Sequence, residues 1–120
     1  MTLFTFNYHK KNISLQVQEC NSLFSKICGL MFCRRKNASA LLFDFKKPVR
    51  IAIHSFFVFF PFLAIWIDDK NNVVDVKIVN PFKFSVSPKK SFCKLLEIPI
   101  NKKYLKITNF VVGEKVYKEN

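Results

Sequence analysis

His54 and Ser55 stand side by side in a run without formal charge, Ile51–Ile67 (IAIHSFFVFFPFLAIWI). With Asp44 upstream, a base, a nucleophile and an orienting acid are nominally present, the set a small hydrolase using His54 would need. The spacing works against that use. Neighbours in a strand point to opposite faces, so Ser55 would meet His54 only across a bulge. No loop rich in small residues is available as an oxyanion hole, and no catalytic residue is assigned. A hydrogen-bonded structural histidine, or one that touches a ligand, asks less of the same position. A second chemistry lies in Pro81–Phe92 (PFKFSVSPKKSF), where aromatics interleave with Lys83, Lys89 and Lys90. Binders of single-stranded nucleic acid pair stacking rings with cations in this way. Phe82, Phe84 and Val86 also alternate, which is equally the pattern of a strand feeding its own core.

Other chemistries are poorly served. Cys20, Cys28, Cys33 and Cys93 contain no CxxC pair, and two His with scattered carboxylates have no ligand spacing. The cysteines read as small buried residues of a reducing compartment, and no metal is expected. Only Gly29 and Gly113 occur, so there is no glycine-rich loop to cradle a phosphate and no nucleotide cofactor is expected. The net charge of +12 is spread along the chain rather than held in a tail. Such a surface attracts polyanions, either nucleic acid or an anionic membrane surface, and is also what a solvated lysine-rich exterior looks like.

The uncharged run dictates the elements around it. As one helix it would span roughly 25 Å, short of the ~30 Å hydrocarbon core, with Pro61 in its interior. As one strand it would span roughly 56 Å, too long for a compact domain of this size. A break at Pro61 resolves both conflicts and predicts two strands, Arg50–Val58 and Phe62–Ile67, with no transmembrane segment. Alternation of Ile13, Leu15 and Val17 with polar residues predicts a hairpin of Thr2–Tyr8 and Asn12–Gln18. Asn21 or Ser22 can cap a short helix near residues 21–28 that stops at Gly29. Strands are also predicted over Ala38–Phe45, Val73–Val79, Ser91–Pro99 and Tyr104–Tyr117, with a turn at Asp68–Asn72. Residues 1–120 then form a single domain, mainly β, a compact antiparallel β-barrel or sandwich with one short helix. The N-terminus shows no secretory signal, so a cytoplasmic protein is expected.

Four pieces in order carry a family resemblance. Gly29-Leu30-Met31-Phe32 comes first, followed by Ile53–Pro61 leading to Asp68 and Val73-Val74. Ser87-Pro88-Lys89-Lys90 then precedes Leu95-Leu96-Glu97-Ile98-Pro99, and Gly113-Glu114-Lys115-Val116 closes the series. Together they resemble domain of unknown function 192, in its shorter, signal-less form familiar from archaea. The resemblance implies a compact, mainly β domain with a little helix, and it supplies no activity. Where relatives carry Asp after the proline, this chain has Leu63, and Cys33 displaces the basic residue usual after the GLM element. Arg34 follows that element and Arg50 flanks the His54 segment. If these cations converge near His54 and Ser55, an anionic ligand could bind there. The expected protein is a non-enzymatic binding module, with a nucleic-acid binder and a small hydrolase as rivals.

Overall fold

The computed structural model describes residues 1–20, 29–31 and 33–113. The short helix expected near residues 21–28 lies outside the described residues. Six strands form one sheet: β1 (Thr2–Tyr8), β2 (Lys11–Glu19), β3 (Leu41–Val49), β4 (Phe62–Ile67), β5 (Val73–Val79) and β6 (Phe92–Pro99), in the order β1-β2-β3-β6-β4-β5. The mainly β architecture is the one expected. All neighbours run antiparallel except β2 and β3, which pair in parallel over Gln18–Leu41 and Glu19–Leu42, so the sheet is mixed. It curls into a half-barrel. The Asn7 amide donates to Asn71 O at 2.7 Å, tying the β1 end to the β4–β5 turn on the far side of the sheet.

The hairpin forms where alternation places it, with Phe4 opposite Leu15 and Phe6 opposite Ile13. His9 and Lys10 make its two-residue turn, both with positive φ, the geometry that matches the twist of the flanking strands. In β4 the alternation vanishes because every residue is buried. Leu63, Ile65 and Ile67 face the concave core with Phe6, Val17, Leu96 and Ile98. Phe62, Ala64 and Trp66 face the opposite core with Phe43, Phe60 and Phe92. A continuous apolar run is what a strand covered on both faces requires.

Two expected strands are corrected. Tyr104–Tyr117 is not a strand over its described part: a 3-10 turn, Lys102–Tyr104, runs into helix α1, Leu105–Val112. Asn101 Oδ1 accepts from the Lys103 amide to start the turn, and Gly113 at φ 85° stops the helix. Tyr104, Thr108 and Val111 are buried at helical spacing, and Tyr104 and Val111 close the concave core. Tyr8 Oη donates to Val111 O at 3.0 Å, fastening the helix to β1.

Arg50–Val58 is not a strand either. β3 and β4 both pair antiparallel with β6, so they run parallel to each other. Residues 50–61 must therefore travel back across the sheet. β5 and β6 stand in the same relation about β4, so residues 80–91 must cross too. The two segments lie antiparallel to each other, joined by the bridge Ile53–Val86 with amide–carbonyl distances of 2.9 and 2.8 Å. Val58 and Phe60 are buried in the outer core, and Ile53 and Val86 pack against it. No helix among the described residues is long and apolar enough to cross a membrane.

Candidate functional site

Ser55 holds the crossing segments together. It is fully buried; its Oγ donates to Asn80 O at 2.7 Å and accepts from the Lys83 amide at 2.6 Å. Its own amide donates to Lys83 O at 2.9 Å, and its carbonyl accepts from the amides of Phe82 (2.9 Å) and Val58 (3.2 Å). With its proton committed to a carbonyl, the hydroxyl has none to give a base. His54 is half-buried, and its Nδ1 accepts from the Phe56 amide at 3.2 Å, which leaves the proton of a neutral ring on Nε2. Asp44 is engaged with Lys46, accepting from its amide at 2.9 Å and pairing with its ammonium at 3.4 Å.

Once Ser55 fixes the segments, alternate residues turn outward. Phe57, Phe59, Phe82 and Phe84 are exposed by 46%, 59%, 48% and 79%. Their rings meet edge to face: Phe56 with Phe84 at 4.5 Å and 87°, Phe59 with Phe82 at 5.5 Å and 71°, Phe57 with Phe82 at 6.5 Å and 76°. Residues 45–61 and 80–91 also carry six cations, Lys46, Lys47, Arg50, Lys83, Lys89 and Lys90, all exposed, and no Asp or Glu. Phe82 and Phe84 of the Pro81–Phe92 stretch thus do not lie in a strand that buries its rings, whereas Phe92, the first residue of β6, is buried.

Arg34 sits elsewhere. It lines an open concavity of about 330 Å³ with Leu30, Cys33, Asn37 and Leu41, at the start of β3. Arg50 follows the other end of that strand. The ends of β3 pair with Glu97 and Phe92, five residues apart on β6, a separation of roughly 17 Å at ~3.3 Å per residue, so Arg34 and Arg50 belong to opposite ends of the strand. Burial pushes the Cys33 thiol pKa upward, which keeps it protonated in this concavity.

One polar residue escaped the sequence reading. Glu97, in the middle of β6, is only 6% exposed, flanked across the sheet by Leu41 and Ala64. Its carboxyl has no hydrogen bond or ion pair among the described residues, and burial pushes its pKa from 4.5 up to about 8. It lies against the Gly29 turn: a Cβ on Gly29 would meet Glu97 Oε1 at 3.2 Å and Phe43 Cζ at 3.6 Å. Two of the pieces that carried the family resemblance, GLM and LEIP, therefore meet at this carboxyl. The available signal was a lone Glu between apolar neighbours in Leu95-Leu96-Glu97-Ile98.

Solved structures share this fold. A candidate transcription regulator from Sinorhizobium meliloti 1021 superposes with a TM-score of 0.72 at 15% identity, over 88% of this chain and 84% of that one. A protein of unknown function from Novosphingobium aromaticivorans gives 0.68 at 13% identity, over 87% and 76%. In sequence, a UPF0127 protein of Pyrococcus abyssi is 28% identical over 102 residues, 84% of each chain. The model of DUF192, described as uncharacterized ACR, matches residues 5–117, nearly the whole chain, and this protein belongs to that family.

Proposed function

We propose that this chain is a non-enzymatic binding module whose contact surface is the outer side of residues 50–61 and 80–91, and that its ligand is polyanionic. The observation that carries the reading is the joint exposure of four phenylalanines and four cations, Arg50, Lys83, Lys89 and Lys90, on two segments whose own sequences contain no acidic residue. Exposed rings bury little within the fold, and a surface on which cations outnumber carboxylates, Asp75 at the Lys89 amide being the neighbouring acid, attracts negative charge. The hydrolase alternative loses its nucleophile to Asn80 O.

The test is retention on immobilised heparin. The variant K83A/K89A/K90A elutes at lower salt than K10A/K70A/K106A, which removes the same charge from exposed positions outside these segments. Equal elution of the two triple variants would show that the charge acts only as a total, and would remove this surface as the contact site.

A further inference from the structure

The aromatic geometry narrows the partner. A single-strand binder needs ring faces left open along a groove so that successive bases can stack on them. Here the rings of Phe56 and Phe84, Phe57 and Phe82, and Phe59 and Phe82 stand at 71° to 87°, each pair closing an edge against a face. Such a cluster is a knob, not a ladder of platforms. A knob gains most from an apolar phase with no directional demands, because burial of apolar area is non-directional.

The charges fit the same partner. Lys83 lies between the exposed Phe82 and Phe84, while Lys89 and Lys90 precede Phe92 and Arg50 follows Val49. Val49 and Phe92 are register partners across β3 and β6, so these last cations gather at one end of the crossing segments. The exposed rings beyond the Ile53–Val86 bridge, with Lys83 among them, and the cations at its other end then lie along one face; apolar insertion together with positive charge is the pair of signals that holds a protein at an anionic membrane surface, where either alone is marginal.

Resting on the binding-surface reading above, we propose that this face docks on the surface of an anionic lipid bilayer. Phe82 and Phe84, with Phe57 and Phe59 beside them, enter the boundary between headgroups and acyl chains. Lys83, Lys89, Lys90 and Arg50 stay at the level of the headgroups. The contact is peripheral and reversible, made by loops on a sheet whose own two faces are already covered.

The test uses the full chain and sedimentation with large vesicles of phosphatidylcholine, with and without phosphatidylserine. The wild type sediments with the phosphatidylserine vesicles and about tenfold less with phosphatidylcholine alone. F82S/F84S loses about tenfold or more of that binding, the scale of two buried rings, and keeps its retention on heparin. F84S alone alters the most exposed of the four rings, at the cost of its contact with Phe56, and lowers binding while the urea-unfolding midpoint stays near that of the wild type. Absence of vesicle binding, with lysine-dependent heparin retention intact, overturns the bilayer and leaves the polyanion-binding surface standing. Loss of affinity for a single-stranded oligonucleotide in F82S/F84S, without loss on vesicles, overturns it in favour of base stacking. Equal elution of the two triple lysine variants fails the underlying reading itself.

Discussion

Replacing Glu97 by Gln should abolish the pH dependence that this one buried carboxyl imposes on stability. The carboxyl titrates at about 8 in the fold against an ordinary 4.5, because burial disfavours its charged form. A group whose pKa is raised by folding holds its proton longer in the native state than in the unfolded chain. Its contribution is therefore fully present below pH 4.5 and is lost as pH rises through the window from 4.5 to about 8. At about 1.36 kcal/mol per pH unit, the loss is about 3 kcal/mol at pH 7 and about 5 kcal/mol once the carboxyl ionises within the fold. Gln keeps the shape without the titration, but its buried amide costs about 1–3 kcal/mol if unpartnered. E97Q should then be no more stable than wild type at pH 5 and more stable at pH 8, by about 2–4 kcal/mol on the sum of these terms. Urea unfolding of both proteins at intervals from pH 5 to 8 measures the difference, and every other titrating group cancels between them. Parallel stability curves across that range would refute the claim that burial, with no stabilising partner among the described residues, raises the Glu97 pKa.

Ser55→Ala removes the acceptor of the Lys83 amide and the donor to Asn80 O while leaving both backbone groups in place. It should cost about 1–3 kcal/mol in urea unfolding, and amide exchange at Lys83 should accelerate; an unchanged midpoint would mean that the hydroxyl does not hold the two segments together. Gly29→Ala places a side chain at φ 49° and 3.2 Å from Glu97 Oε1. It should cost about 1–2 kcal/mol in wild type and less in an E97A background, where only the backbone term remains; additivity of the two changes would rule out the contact.

The legible parts of this fold are those in which local pattern and tertiary role agree. Ile13, Leu15 and Val17 alternate because one face of β2 packs on the concave core, and the turn residues Asp68–Asn72 accept their own backbone bonds, Asp68 Oδ1 taking the amides of Lys70 and Asn72. Pro61 marks a true boundary, since β4 begins at Phe62. The misread parts are those in which pattern and role diverge. Residues 50–60 bury Ser55, Val58 and Phe60 and expose Phe57 and Phe59, an amphipathic rhythm like a strand's, yet the topology obliges them to cross the sheet instead of joining it. The β-branched residues of α1 suggested a strand; the helical spacing of Tyr104, Thr108 and Val111, with a cap at Asn101, decides the matter once the concave core needs a cover. The site was half legible. Lys83, Lys89 and Lys90 lie on the exposed surface, while Glu97 was hidden because its motif neighbours are apolar and its consequence depends on the distant Gly29 turn.

Backbone geometry offers an independent reason to place the contact surface on the crossing segments. Among the described residues six non-glycine positions have positive φ, and four of them are polar residues of ordinary turns or a bulge: His9 and Lys10 in the hairpin, Asn71 in the β4–β5 turn, and Lys46 where the β3–β6 register shifts. The other two are Phe57 at 58° and Phe82 at 60°. A left-handed backbone costs a bulky side chain about 1 kcal/mol or more relative to glycine. Core residues recover such a cost by burial, but these two rings remain about half exposed. Each ring therefore recovers only part of that cost within the chain, through its buried half and its ring contacts. The two strained positions touch each other, Phe57 with Phe82 at 6.5 Å, and both are fixed by the backbone bonds that converge on Ser55. Strain retained at paired, exposed aromatics is accounted for when the rings are completed by something outside the chain. That is the condition a bilayer surface meets, and it is one that neither the Arg34 concavity nor the Glu97 carboxyl presents.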